Sequence, residues 1–276
     1  GDIMNNNKIA VLYHHFSGTP GGDKNLDFFI KNGVIPTCDY YFNIVEGSDL
    51  TMPQHENCKV HVAENKDMDY GGFQNLIKNH LDIAKYEALI FLNSTVRGPY
   101  HKSAANVNDA NWAEDFTAPL KGDVHLSGAA ISILHPTSPH AKDFHAQHNS
   151  EGVIPHVQTM AYAMTGKAVE MLVTAGFYDQ QFNNDRNSII VGYELLLSAL
   201  LLKSGLNISA SLPRYQGIDY RTLTYDFNPT SVNGDALFPG AYFSSTADPF
   251  DNIFVKTRRN YVDIASIDFL NAELVV

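Results

Sequence analysis

Four short, largely apolar runs in the first third of the chain limit what it can fold into. They are Lys8-Ile9-Ala10-Val11-Leu12-Tyr13, Cys38 to Val45, Cys58 to Val62 and Ala88 to Leu92. Between them lie stretches with helical spacing, Asn25 to Asn32 (stopped by Gly33) and Gly72 to Leu81. A run that is apolar along its whole length suits a strand covered on both faces. Strands that alternate with helices imply a mostly parallel sheet flanked by helices, an α/β fold.

The rest of the chain is more mixed. Trp112 to Leu120 reads as a short helix, Val124 to Leu134 as a strand and His135 to Glu151 as a loop. A strand begins at Ala161 and turns at Thr165-Gly166. Lys167 to Ala175 reads as a helix ended by Gly176, and Asn207 to Leu212 as a strand. The most apolar stretch, Ile189 to Leu202, is 14 residues long and contains Glu194. A membrane span needs about 20 residues, so this is expected to be a core helix, running to Ser204 and capped by Gly205. Asn228 to Asp251 is a long stretch rich in Pro, Gly and Ser, and Ile253 to Lys256 a last short strand.

Charge removes some functions. With 19 Lys and Arg against 30 Asp and Glu, the net charge is −11. A nucleic-acid groove needs many phosphate-neutralising cations, and so does an anionic membrane surface. Cys38 and Cys58 make neither a disulfide framework nor a metal pattern, which fits a reducing compartment. Gly1-Asp2-Ile3 before Met4 reads as an expression scar, and with no signal peptide seen the expectation is a soluble, cytoplasmic protein. A length of 276 residues suits one large domain or two small ones.

In an open α/β sheet, ligands bind at the carboxyl ends of the strands. There the sequence places Tyr13, His14 and His15 after the first strand, Glu64 to Gly72 after the third, and Asn93 to Pro99 after the fourth. Three motifs follow one another: Asn65-x3-Asp69-Tyr70-Gly71-Gly72, then Leu92-Asn93-Ser94-Thr95-Val96-Arg97-Gly98-Pro99, then Pro155-His156-Val157-Gln158-Thr159. With Phe254-Val255-Lys256-Thr257-Arg258-Arg259 at the far end, this order resembles the rhamnan-synthesis-F-type proteins and their algal and microbial relatives. Those are GT-A-like glycosyltransferases that build surface polysaccharides. The resemblance spans roughly residues 8 to 259.

The resemblance implies a GT-A-like single domain over residues 4–276. Residues 4–100 would bind a nucleotide-sugar donor. Residues 101–276, with a C-terminal extension folded across the sheet, would bind a glycan acceptor. The donor crevice would be formed by Tyr13, His14, Asn65, Asp69, Asn93, Ser94 and Arg97. The resemblance suggests a rhamnose-type donor sugar; xylose or another pentose is equally compatible, and UDP is favoured as the carrier with GDP and dTDP left open. GT-A folds usually hold Mn or Mg with an Asp-x-Asp after the fourth strand. Here the matching residues are Asn93, Ser94 and Thr95, which leaves metal use open. Neutral amide and hydroxyl oxygens bind hard cations more weakly than carboxylates do. Arg97, Lys256, Arg258 or Arg259 could neutralise the diphosphate instead. Asp67-Met68-Asp69 has the Asp-x-Asp spelling after the third strand, where Asp69 is expected to contact the donor rather than a metal.

An inverting transfer needs a base for the acceptor hydroxyl. Glu194, in an otherwise apolar helix, is the first candidate, and Asp219, two residues before Arg221, the second. His156 and Gln158 would position sugar hydroxyls. Each has a plainer alternative: an Asp219–Arg221 pair, an Arg97 that braces its loop, a solvated cluster at Lys256–Arg259, a structural His156, a Trp112 packed in the core. His135, His140, His145 and His148 match no standard zinc spacing and read as a loop over the acceptor. A glycan- or nucleotide-binding pseudo-enzyme is the alternative to catalysis.

Overall fold

The computed structural model describes residues 6–100 and 111–259. The opening Gly1-Asp2-Ile3 and parts of both proposed halves lie outside these residues. The sheet grows from β1 (Ile9–His15), which pairs in parallel with β2 (Cys38–Val45) on one side and β4 (Ala88–Asn93) on the other. Next to β2 lies β3 (Cys58–Ala63), at the sheet edge. Beyond β4 come β9 (Ala161–Thr165), β6 (Val124–Gly128) and β10 (Asn207–Ala210). Only β9, which leads into helix α5 (Gly166–Thr174), runs against its neighbours in this seven-stranded sheet. The mostly parallel α/β sheet flanked by helices is therefore as the sequence predicts.

Ala10, Val11, Leu12, Leu89, Ile90, Phe91 and Leu92 are fully buried, the pattern of strands covered on both faces. Helices α1 (Gly22–Gly33) and α2 (Met68–Asn79) supply that cover. Alternation along β1 decides what each side chain meets. Tyr13 turns to Phe29 of α1 and to Phe42, whereas His14 meets Gly72 and Phe73 of α2. Trp112, at the start of α3 (Trp112–Thr117), is fully buried and donates its indole N–H to Gly33 O at 2.8 Å. It is a core residue.

The structure corrects several element boundaries. Residues 124–134 form two strands, β6 and β7 (Ile131–Leu134), because the chain turns at Ala129-Ala130 into a separate ribbon with β8 (Ile154–Val157). The expected loop at 135–151 contains helix α4 (Pro139–His148), with Pro at its start. Only Ala141 and Phe144 of its ten residues are buried, so its periodicity is hidden among polar residues. They pack with Ile154, Val191 and Leu195 in a second apolar cluster.

The central helix begins earlier than expected, as α6 (Arg186–Ile189). It widens into a π-helical turn over Ile190–Leu195 before continuing as α7 (Leu196–Lys203). Gly192 lies in the widened turn, where a Cβ would stand 2.5 Å from Phe182, and its carbonyl accepts from Gln180 Nε2 at 2.9 Å. A C-terminal ribbon closes the fold: β11 (Val255–Lys256) pairs antiparallel with β5 (Val96–Arg97).

Helix α2 also starts earlier than its spacing indicates, so Asp69-Tyr70-Gly71-Gly72 is helical rather than loop. The glycines make this possible. A Cβ on Gly71 would lie 1.7 Å from Lys66 O, and one on Gly72 2.1 Å from His14 Nδ1. Where the helix begins, Asp67 (φ 54°) and Met68 (φ 56°) hold left-handed conformations that non-glycine residues seldom adopt. The carboxylate of Asp67 accepts from the backbone N–H of Phe182 (2.9 Å) and Asn184 (2.8 Å). Its own N–H donates to Asn184 Oδ1 at 2.7 Å. Asp67→Ala leaves buried donors without partners and should destabilise the protein by about 2–4 kcal/mol in urea unfolding. A loss below about 0.5 kcal/mol would show that this lock is not needed.

Candidate active site

The carboxyl end of the sheet opens into a pocket of about 710 Å³. Its walls come from four places: the segment after β1, the start of α2 with the β4–β5 turn, the β7–β8 ribbon, and the helix carrying Glu194. The C-terminal segment completes it. Of the residues singled out in the sequence, the pocket gathers Asp69, Asn93, His156, Gln158, Glu194, Lys256, Arg258 and Arg259.

The others lie elsewhere. Tyr13 is buried beneath α1. His14 is buried beneath α2, where its Nδ1 accepts from Asn43 Nδ2 at 3.1 Å and burial pushes its pKa down to about 3. Ser94 is buried behind the β4–β5 turn, and Asn65 is exposed outside the pocket. Arg97 donates from Nε to Asn25 Oδ1 at 3.0 Å and lies over the Phe28 ring, so it braces its loop. Asp219 is bound to Arg221 at 2.8 Å, and Arg221 reaches Asp123 at 2.6 Å. That ion-pair cluster lies outside the pocket and takes Asp219 off the list of bases. Nor do the histidines of α4 form a loop over the pocket: His140 meets Asn187, and His145 meets Ser150 and Gly152 O.

Asn25 is a buried hub that composition alone does not reveal. Its Nδ2 donates to Ser94 O (3.0 Å) and to Thr257 Oγ1 (3.1 Å), while its Oδ1 holds Arg97. It thereby ties α1 to the β4–β5 turn and to the C-terminal segment. Thr257 in turn donates from its backbone N–H to Thr95 O at 3.2 Å. Alternation then sends Val255 into the core and Lys256 into the pocket.

At the β4–β5 turn, Asn93 is fully committed. Its Oδ1 accepts from Thr95 N (3.0 Å) and Thr95 Oγ1 (2.5 Å), and its Nδ2 donates to Asp69 Oδ2 at 3.0 Å. Burial lifts the Asp69 carboxyl to about pH 6, against the Asn93 hydrogen bond, and the charge of Glu194 adds to the rise. Burial lowers the pKa of Lys256, as does the charge of Arg259; Glu194, Asp235 and Asp69 oppose this. Manganese and magnesium favour several oxygen ligands with carboxylates among them. Here the Asn93 oxygen is taken, and burial disfavours the charged form of Asp69. Among the described residues no group of three or more His, Cys, Asp or Glu is placed to hold an ion. This donor set does not fit a resident metal.

Sequence reasoning missed Asp235, which orders one wall of the pocket. Its Oδ1 accepts from Gln158 Nε2 (2.9 Å) and Leu237 N (2.8 Å), and its Oδ2 pairs with Arg259 at 2.8 Å. Arg259 also lies on the Phe238 ring, 4.4 Å from its centroid. The available signal was the turn spelling Asn233-Gly234-Asp235. Gly234 has φ 85° and would drive a Cβ to 2.3 Å from Ile133 O. Ser132, Thr95, Arg186 and Phe16 also line the pocket and carried no signal.

No protein-family model matches the sequence, and no curated protein matches it. Solved structures are similar to it in part. One is a mannosyltransferase from Pyrobaculum calidifontis in complex with GDP-Man and Mn2+ (TM-score 0.43, 10% identity, covering 73% of this chain and 53% of that one). Another is a glycosyltransferase involved in the glycosylation of the major capsid of PBCV-1 (TM-score 0.39, 13% identity, covering 96% and 98%). The chain thus spans about half the length of the mannosyltransferase. The roles proposed for this chain rest on its own residues. Among the described residues no helix is long and apolar enough to cross a membrane.

The raised Asp69 pKa sets the sign of a pH effect. Between about pH 4 and 6 the folded protein binds more protons than the unfolded chain, so this carboxyl's contribution to stability falls as pH rises. The stability of wild type relative to Asp69→Asn should decline by about 2–3 kcal/mol from about pH 4 to 7. Urea unfolding across that range checks this, and parallel curves would refute it.

Proposed function

We propose that this protein is a glycosyltransferase that moves a monosaccharide from a nucleotide-diphosphate sugar to a hydroxyl of a glycan. One observation carries the reading. In a chain with a net charge of −11, Lys256, Arg258, Arg259 and Arg186 all line one pocket, together with Asp69, Glu194 and His156. Arg259 is neutralised by Asp235, and the other three cations have no ion-pair partner among the described residues. Such a cluster suits a diphosphate, whose negative charge grows as the glycosidic oxygen leaves. It supplies with side chains what an ion would otherwise supply.

The remaining lining suits the other half of the reaction. Ser132, Gln158 and Asn233 offer hydroxyl and amide groups that hydrogen-bond sugar hydroxyls. Glu194 and His156 can each accept a proton. Holding donor and acceptor side by side provides much of the rate by itself. The sequence resemblance supports a rhamnose-type sugar as the group transferred, with xylose or another pentose equally compatible; we take UDP as the carrier ahead of GDP and dTDP, in polysaccharide or glycoprotein glycan synthesis.

The test is a thermal-shift screen with UDP, GDP, dTDP, CMP and inorganic pyrophosphate, followed by assay of nucleoside diphosphate release from the matching sugar donors. One nucleoside diphosphate should raise the melting midpoint, and EDTA should leave that shift unchanged. Lys256→Ala should weaken nucleoside diphosphate binding about tenfold or more while leaving nucleoside binding alone. Binding without release of nucleoside diphosphate would favour the non-catalytic pseudo-enzyme. An absence of any shift would remove the nucleotide from the reading.

A further inference from the structure

We propose that His156, not Glu194, takes the proton from the acceptor hydroxyl, so that transfer proceeds with inversion at the anomeric carbon; this rests on the transferase reading above. The imidazole is oriented by its backbone. Its Nδ1 lies 3.0 Å from Ile154 O, and because a carbonyl can only accept, Nδ1 carries the hydrogen. The neutral ring therefore leaves Nε2 as a bare acceptor. No described residue hydrogen-bonds to Nε2, and the side chain lines the pocket.

The surroundings suit a proton acceptor. His156 lies on β8, paired across the ribbon with Ser132 of β7, so the ring is carried by strand rather than by loop. Ser132 and Gln158 line the pocket beside it and can hold the same sugar. Burial keeps the ring neutral, pushing its pKa down. The Ile154 carbonyl and the charges of Glu194, on the π-helical turn, and Asp235, on the 232–238 turn, pull the other way. These carboxylates would stabilise the imidazolium as it forms. Glu194 would act on the histidine through its charge alone, since no hydrogen bond joins it to the ring.

The step balances without a co-reactant. The acceptor oxygen forms a bond to the anomeric carbon while its proton passes to Nε2. The bond from that carbon to the diphosphate oxygen breaks, and its electron pair leaves with the nucleoside diphosphate beside Lys256 and Arg258. The imidazolium then returns its proton to water. Attack by a separate base-activated hydroxyl gives inversion, whereas a retaining enzyme would use the departing phosphate as base.

The experiment uses UDP-xylose, UDP-rhamnose, UDP-glucose, dTDP-rhamnose and GDP-mannose with methyl glycoside acceptors, and reads the anomer formed by NMR. With the wild-type protein the new linkage should be inverted relative to the donor. His156→Ala should lower kcat at least about 100-fold at unchanged nucleoside diphosphate affinity, with part of the loss restored by added imidazole. His156→Asn, whose Nδ2 stands where Nδ1 does and keeps a donor for Ile154 O, should bind nucleotide normally and be as slow, guarding against a folding defect in the alanine variant. A retained product, or a His156→Asn enzyme within about threefold of wild-type kcat, overturns the assignment and leaves the transferase reading standing. No release of nucleoside diphosphate from any donor removes both.

Discussion

The parallel pairing of β1 with both β2 and β4 determines what can meet in the pocket. With β3 parallel to β2, the strands β1, β3 and β4 point the same way, so residues 16–20, 64–67 and 94–95 leave the sheet at the same end. The one reversed strand adds the fourth wall. Because β9 starts where β4 ends, with Ala161 opposite Leu92, the residues just before it arrive at that same edge. His156 and Gln158 therefore reach the pocket by strand direction. Side-chain alternation then selects among them, and it removes Tyr13 and His14 from the site by turning them to opposite helices.

Two polar hubs hold this edge in place. Asp67 joins the segment after β3 to residues 182–184 through three hydrogen bonds, and so keeps two left-handed residues, Asp67 and Met68, at the mouth of α2. Such conformations cost of order 1–3 kcal/mol each and persist only where the surroundings determine them. Asn25 does the corresponding work on the other side, linking α1, the β4–β5 turn and Thr257. Both side chains are buried. The pocket residues on either side can thus remain open to ligand while their backbones stay fixed. The π-helical turn acts in the same way on the remaining wall: Tyr193 is tied to Tyr162 at 2.7 Å and the next residue, Glu194, faces the cavity.

The centre of the sheet was legible in the sequence because β1 and β4 are apolar on both faces, a pattern that tolerates few readings. The site was legible in part. Asp69, Asn93, His156, Gln158, Glu194 and Lys256 lie at strand ends or in a helix whose direction follows from the fold class. Arg97 and Asp219 looked similar, but each is held by a partner: Asn25, 72 residues from Arg97, which no spacing rule reveals, and Arg221, two residues from Asp219, which the sequence did offer. Asp235 escaped notice for the converse reason. It sits in an irregular stretch, and its value comes from contacts to Gln158 and Arg259, 77 residues before it and near the end of the described chain. Helix α4 was hidden because a helix resting on two apolar side chains has almost no periodic signal.

The pairing of β11 with β5 has a temporal side. Val255 meets Arg97 and Lys256 meets Val96, although roughly 160 residues separate the two strands. At ordinary synthesis rates of about 5–20 residues per second, a nascent chain would carry β5 for about 10–30 s before its partner emerges. Over that interval the parallel sheet can form, yet the pocket has no Lys256, Arg258 or Arg259. Until then the pocket lining holds Asp69, Glu194 and Asp235 against Arg186, so its charge is negative. The positive cluster on which the proposed diphosphate site rests is completed only as Thr257 seats against Asn25.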